Sequence, residues 1–225
     1  APPRAARRLP RPAASTRSAR TIVGVPPTGN GPAPGSPDAV TPIIVIPARM
    51  ASTRLPGKPL ADIAGRPMVL HVLDRAREAG IGPAAVAAED AEIVRAVRAA
   101  GGTAVQVAEQ VPSGTDRVQR ALAALDPEGQ HDVVVNLQGD VPTLDPAALR
   151  AVLEPLSDPA VEIGTLVCPI EGEGELAADS FVKCACAFPE GARVAAALYF
   201  SRAPIPWGEG PHWHHIGIYA CRRAA

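Results

Sequence analysis

The chain has 225 residues, 47% of them hydrophobic and 20% charged, and a net charge of −1. That length and apolar content suffice for one sizeable α/β domain with its own core. No window approaches the roughly 18 consecutive apolar residues of a spanning helix, which argues against membrane insertion, and the near-neutral charge argues against nucleic acid as a partner.

Charge is placed unevenly along the chain. Residues 1–41 carry Arg4, Arg7, Arg8, Arg11, Arg17 and Arg20 against Asp38 alone, a net +5, which leaves −6 for the remainder. This first stretch is rich in Pro, Ala, Gly and Ser and lacks apolar periodicity, so it is expected to be a disordered leader standing apart from a domain over 42–225. Its composition also matches an organellar transit peptide, but the heavy proline content and the absence of an initiating Met favour a tail or a mis-assigned start.

From Pro42 the pattern alternates between strand and helix. Ile43 to Ile46 reads as a short buried strand, and Met68, Val69, Val72, Leu73 and Ala76 share one helical face that ends at Gly80. A strand over 84–88 follows, then a helix capped by Asp90 with Ile93, Val94 and Val97 inward, ended by Gly101. Thr103 to Val107 is strand-like, and residues 115–125 are helical. Val133 to Leu137 is apolar enough to be buried on both faces. Asp145 caps a further helix with Pro146 at its first position. This order predicts an α/β fold with a Rossmann-like, mostly parallel sheet covered by helices in three layers, whose ligands bind at the carboxyl ends of the strands.

Two loops lie at that edge. The first, P-A-R-M-A-S-T-R-L-P-G-K-P-L over 47–60, carries Arg49, Arg54 and Lys58. A P-loop would need Gly where Ser52 stands and Ser or Thr where Pro59 stands, so that reading fails. Two guanidinium forks and one ammonium still suit nucleotide phosphates. The chain contains only two lysines, Lys58 and Lys183, so generic positive charge is supplied by Arg and each Lys has a placed role. Taken alone, the loop is compatible equally with a solvated face and with phosphate binding. The second loop, N-L-Q-G-D-V-P, places Asn136, Gln138 and Asp140 after the buried strand. Gly139 lets the backbone approach closely, and the carboxylate can hold Mg²⁺, although Gly-Asp before a proline is also ordinary turn chemistry. Together, cations, carboxylate and amides make a site for nucleotidyl transfer. The four cysteines, Cys168, Cys184, Cys186 and Cys221, lack C-x-x-C spacing and read as free thiols suited to a reducing compartment.

The first loop, with G-R-P-M-V-L-H-V at 65–72, P-S-G-T-D-R at 112–117, V-N-L-Q-G-D at 135–140, A-L-Y-F-S-R-A-P-I-P-W at 197–207 and H-I-G-I-Y at 215–219, closely resembles the 3-deoxy-manno-octulosonate (Kdo) cytidylyltransferases over residues 43 to 221. The resemblance implies a nucleotide-diphospho-sugar transferase type of fold and a Mg²⁺-dependent, cytoplasmic, homodimeric enzyme. Such an enzyme joins CTP and Kdo into CMP-Kdo and pyrophosphate for lipopolysaccharide biosynthesis. It implies that Arg49, Arg54 and Lys58 hold the triphosphate, with Arg49, Lys58 and Asp140 as the catalytic set and Asp140 as metal ligand. Ser113, Gly114 and Arg117 would face the cytidine, Gln138 would sit between nucleotide and sugar, and Arg202, His215 and Tyr219 would face Kdo. His215 also reads as a packed histidine following His212 and His214, and Trp207 as a core or dimer contact.

The chain departs from the family pattern at several positions. Met50 replaces an aromatic, Val111 a histidine and Val141 an acid, and Ala88-Glu89-Asp90 stand where the family has T-D-D. The family's later segment, with its second metal-binding carboxylate, has no counterpart after H-I-G-I-Y, so a truncated chain with an incomplete metal site and poor turnover is expected. Two alternatives remain: an acylneuraminate cytidylyltransferase, whose loop usually reads R-G-G-S-K, and a non-catalytic nucleotide-binding remnant.

Overall fold

A computed structural model of the protein describes residues 21–24, 40–51 and 55–223. Among these residues, twelve strands and five α-helices follow in chain order. They begin with β1 (Thr21–Gly24), β2 (Pro42–Ala48), a short hairpin of β3 (Asp62–Ile63) and β4 (Arg66–Pro67), α1 (Met68–Glu78) and β5 (Ala84–Ala88). Next come α2 (Ala91–Ala99), β6 (Thr103–Gln106), α3 (Gly114–Leu125), β7 (Val133–Asn136) and α4 (Pro146–Ala151). The last third holds β8 (Ile163–Pro169), α5 (Glu173–Ala177), β9 (Lys183–Ala185), β10 (Val194–Ala196), β11 (Tyr199–Ser201) and β12 (Trp213–Arg222).

Ten strands of the described residues form one sheet, ordered β10-β1-β8-β12-β7-β2-β5-β6, with β9 and β11 attached beside β12. The half made of β7, β2, β5 and β6 is parallel, as the alternating pattern predicts. The other half is mixed, because β12 runs antiparallel between β7 and β8, and β10 runs antiparallel to β1. The expectation of a mostly parallel sheet therefore holds for only half of it. β12 returns by way of the short α5 and the strands β9, β10 and β11, and inserts between β7 and β8 in the reverse direction.

Pleating divides the core between two faces. Ile44, Ile46, Val86 and Ala88 are buried with Val69, Val72 and Leu73 of α1, Ile93 and Val97 of α2 and Leu149 of α4. Ile43, Val45, Ala87 and Val134 are buried with Val118 and Ala121 of α3. Helices thus cover both faces of the parallel half, giving three layers. No helix of the described residues is long and apolar enough to cross a membrane.

Two local expectations change. Thr21–Gly24 lies within the sheet, parallel to β8 in the register Thr21 with Ile163 and Gly24 with Leu166. The boundary at residue 42 therefore does not hold for these four. Thr-Ile-Val is a β-branched run suited to a strand, hidden by averaging over Arg- and Pro-rich neighbours. The rest of the leader lies outside the described residues. Asp90 precedes α2 but makes no capping bond to it; its carboxylate instead accepts from the amide of Met50 at 2.7 Å. Ser113 and Asp145, by contrast, cap α3 and α4 with their side chains.

Candidate active site

The carboxyl ends of β2 and β7 open into one cleft of about 700 Å³, lined among others by Arg49, Lys58, Met68, Gln138, Gly139 and Asp140. Its size suits a small-molecule ligand. The basic loop is folded back on itself. Gly57, at φ 74°, donates its amide to the carbonyl of Met50 at 3.0 Å, and Met50 donates to Asp90. Gly57 is required by that left-handed turn, and the turn delivers Lys58 onto a short 3-10 segment with Pro59 buried beneath it. Arg54 lies outside the described residues.

The second loop meets the first here. Lys58 Nζ lies 2.7 Å from Asp140 Oδ2, across 82 positions of sequence. Both side chains keep access to solvent, at 34% and 48% exposure. Gly139 makes this approach possible, since a Cβ there would lie 2.9 Å from the carbonyl oxygen of Pro47. Among the described residues, no cluster of three or more His, Cys, Asp or Glu side chains could enclose a metal ion. Among the described residues that line the cleft, Asp140 is the one carboxylate.

Ser113, Gly114 and Arg117 are not among the residues that line the cleft; Gly114 comes nearest to it, since a Cβ there would approach Pro47 Cγ at 3.3 Å. Ser113 Oγ is engaged with Asp116, donating to its carboxylate at 2.5 Å and accepting from its amide at 3.2 Å. Arg117 is only 3% exposed; its guanidinium donates to the carbonyl of Val107 at 2.6 Å and to Glu89 at 2.5 Å. It clasps the ends of β5 and β6 to α3. Sequence reasoning did not pair it with Glu89, and the one available signal was the acid following the apolar strand Ala84–Ala88.

On the other side, antiparallel pairing of β12 with β7 sets Tyr219 opposite Asn136, and a bulge between Ile216 and Tyr219 places Gly217 so that a Cβ there would lie 3.7 Å from Gln138 Cγ. Gln138 thus borders both the cleft and the β12 bulge. His215 packs between Phe200 and Tyr219, at ring separations of 4.8 and 5.4 Å. Burial, with His214 beside it, pushes its pKa down to about 4. Burial and then Cys221 raise that of Tyr219. Arg202, which is not among the residues lining the cleft, donates to the carbonyl of Asp179 at 2.6 Å. Trp207 is 99% exposed, so its reading as a core residue is set aside. All four cysteines are free.

The cytidylyltransferase family pattern matches residues 43–224. The 3-deoxy-manno-octulosonate cytidylyltransferase of Rhodospirillum centenum is 58% identical over 184 residues, which are 82% of this chain and 72% of that protein. The protein of the same name from Paramagnetospirillum magneticum is 55% identical over 82% of this chain and 75% of its own length. Among solved structures, CMP:2-keto-3-deoxy-manno-octonic acid synthetase complexed with CTP superposes with a TM-score of 0.71 at 40% identity, covering 82% of this chain and 75% of that one. The shared fold reaches further, to 4-diphosphocytidyl-2C-methyl-D-erythritol synthase at TM-score 0.52 and 16% identity. With its two cleft-forming loops inside the matched span, the chain belongs to the cytidylyltransferase family, among the 3-deoxy-manno-octulosonate cytidylyltransferases.

Proposed function

We propose that the protein transfers CMP from CTP to Kdo, releasing pyrophosphate, and so supplies an activated sugar for lipopolysaccharide biosynthesis in the cytoplasm. The observation that carries this reading is the meeting of Lys58 and Asp140 in one cleft beside Arg49. A cation and a carboxylate that share a polar cleft with an arginine are arranged to hold a polyphosphate and its counter-ion. In the reaction the anomeric hydroxyl of Kdo loses its proton to water as its oxygen forms a bond to the α-phosphorus of CTP. The bond from that phosphorus to the bridging oxygen breaks, and pyrophosphate leaves with the electron pair.

Arg49 and Lys58 hold the triphosphate and offset charge on the departing pyrophosphate. Arg54, in the same loop, is assigned to the same task. Ser113 and Gly114 border the cytidine, and Arg117 supports that edge from beneath. Gln138, placed between the cleft and the β12 bulge, orients the two substrates against each other, while Arg202, His215 and Tyr219 form the sugar side.

The Asp140 carboxylate fits Mg²⁺. It is half exposed to the cleft, Lys58 occupies Oδ2, and Oδ1 makes no hydrogen bond among the described residues. One carboxylate plus phosphate oxygens and water is an ordinary Mg²⁺ shell. When bound, the ion would neutralise phosphate charge and align the α-phosphate for in-line attack. The expectation of poor turnover finds no support among the described residues, whose cleft keeps its cations, its carboxylate and its glycine turn.

A coupled assay of pyrophosphate release tests the reading. Release that requires CTP and Kdo together supports it; release indifferent to Kdo, or greater with N-acetylneuraminate, would refute it.

A further inference from the structure

Thr165 sits in the middle of β8, wholly buried beneath the β12 bulge. Its hydroxyl oxygen has three polar neighbours: the carbonyl oxygen of Ile218 at 2.7 Å, that of Ile216 at 3.3 Å, and Nε2 of His215 at 2.9 Å. A hydroxyl carries one proton, and a carbonyl can only accept. Were the proton given to His215, two oxygens would face each other at 2.7 Å with no hydrogen between them, in a place shielded from water. That arrangement is repulsive. The proton therefore goes to Ile218, with Ile216 sharing it. Thr165 is then an acceptor toward His215, and Nε2 must bear a hydrogen.

Near neutrality the His215 ring holds a single proton, because burial and the adjacent His214 disfavour its cation. With that proton on Nε2, Nδ1 is a bare acceptor. Nδ1 makes no hydrogen bond among the described residues and is not among their sealed, unpartnered atoms. Phe200 and Tyr219 hold the ring plane.

We infer that Thr165 is a positioning residue that locks His215 in the Nε2–H tautomer, so that Nδ1 meets the acceptor sugar as a hydrogen-bond acceptor for one of its hydroxyls rather than as a donor to its carboxylate. The sugar half of this inference rests on the function proposed above; the tautomer half does not. The bulge in β12 is what makes the device possible, because it turns the carbonyls of Ile216 and Ile218 onto one hydroxyl and so uses up its proton.

A long-range proton–nitrogen correlation spectrum of the full chain, labelled with ¹⁵N-histidine and free of substrate, reads the tautomer directly. The His215 signal is assigned by its loss in His215→Asn. The Nε2–H pattern is expected, and an Nδ1–H pattern or a mixture of tautomers overturns the assignment whatever sugar the enzyme uses. Thr165→Val is expected to mix the tautomers and raise the KM for Kdo about tenfold, the scale of one hydrogen bond, leaving the KM for CTP unchanged. Thr165→Ser, which keeps the hydroxyl, restores both. A rise shared equally by CTP and Kdo, or an unchanged KM for Kdo, overturns the positioning role. Pyrophosphate release indifferent to Kdo in the unaltered protein would overturn the proposed function, and with it the sugar half, while leaving the spectrum to stand or fall alone.

Discussion

Lys58 and Asp140 neutralise each other in the ligand-free protein, so a nucleotide must separate them before using either. Both are partly exposed, and an ion pair of that kind contributes at most about 1 kcal/mol to stability. Asp140→Asn is therefore expected to leave the unfolding midpoint within about 3 °C of the original. It should also release Lys58 and remove a negative charge that repels the triphosphate. CTP measured by calorimetry in EDTA should bind several-fold more tightly to this variant, while the gain from adding Mg²⁺ disappears. Weaker metal-free binding would contradict the exchange of partners. Arg49, Lys58 and Asp140 were all legible as candidates from residue type and position after a strand. Glu89, Asp90 and Thr165 were not, because their roles depend on groups brought close only by folding: Arg117, the Met50 amide and the β12 carbonyls.

At the scale of elements, Arg117 joins β5, β6 and α3 through Glu89 and the carbonyl of Val107. Removing one partner of a buried pair costs about 3–5 kcal/mol, so Arg117→Ala should lower the unfolding midpoint by roughly 6–20 °C in a chain of this size. A direct cytidine contact would instead raise the Kd for CTP with the midpoint unchanged, so a thermal scan beside a titration separates the two roles. The opposite end of the sheet has its own clasp. Burial acts to raise the Asp126 pKa, but amides of His131 and Gln130, the His131 side chain and Arg223 outweigh it and bring it down to about 2. Asp126 also pairs with the Arg223 guanidinium. Because the folded value lies below the ordinary 3.8, this stabilisation is complete above about pH 4 and lost as pH falls through 2. Asp126→Asn should flatten the acid limb of an unfolding-midpoint profile between pH 5 and 2. A limb as steep as the original would contradict the assignment.

For the whole molecule, the parallel half was readable because each of its strands is an apolar run followed by a helix with a clear inward face. The antiparallel half was not. β10 and β11 are three residues each, and only pairing with distant partners marks them as strands. Leu198, Tyr199 and Trp207, at 76%, 65% and 99% exposure, belong to this half. Large apolar side chains so exposed favour an interface, and because the sequence resembles homodimeric enzymes we propose a second copy of the chain as the partner. Sedimentation should show a dimer that Trp207→Glu together with Leu198→Asp converts to monomer; an unaltered chain that is monomeric at tens of micromolar would refute this.

The central claim is that the cleft between the β2 and β7 loops holds CTP by its phosphates, and calorimetric titration of CTP with Mg²⁺ into Lys58→Ala tests it most directly. Losing a phosphate contact of a placed ammonium costs about 2 kcal/mol or more, so affinity should fall at least tenfold. Arg120→Ala, altering an exposed cation paired with Glu109 on another surface, should bind as the unaltered chain does. Equal affinities for the two variants would contradict the account.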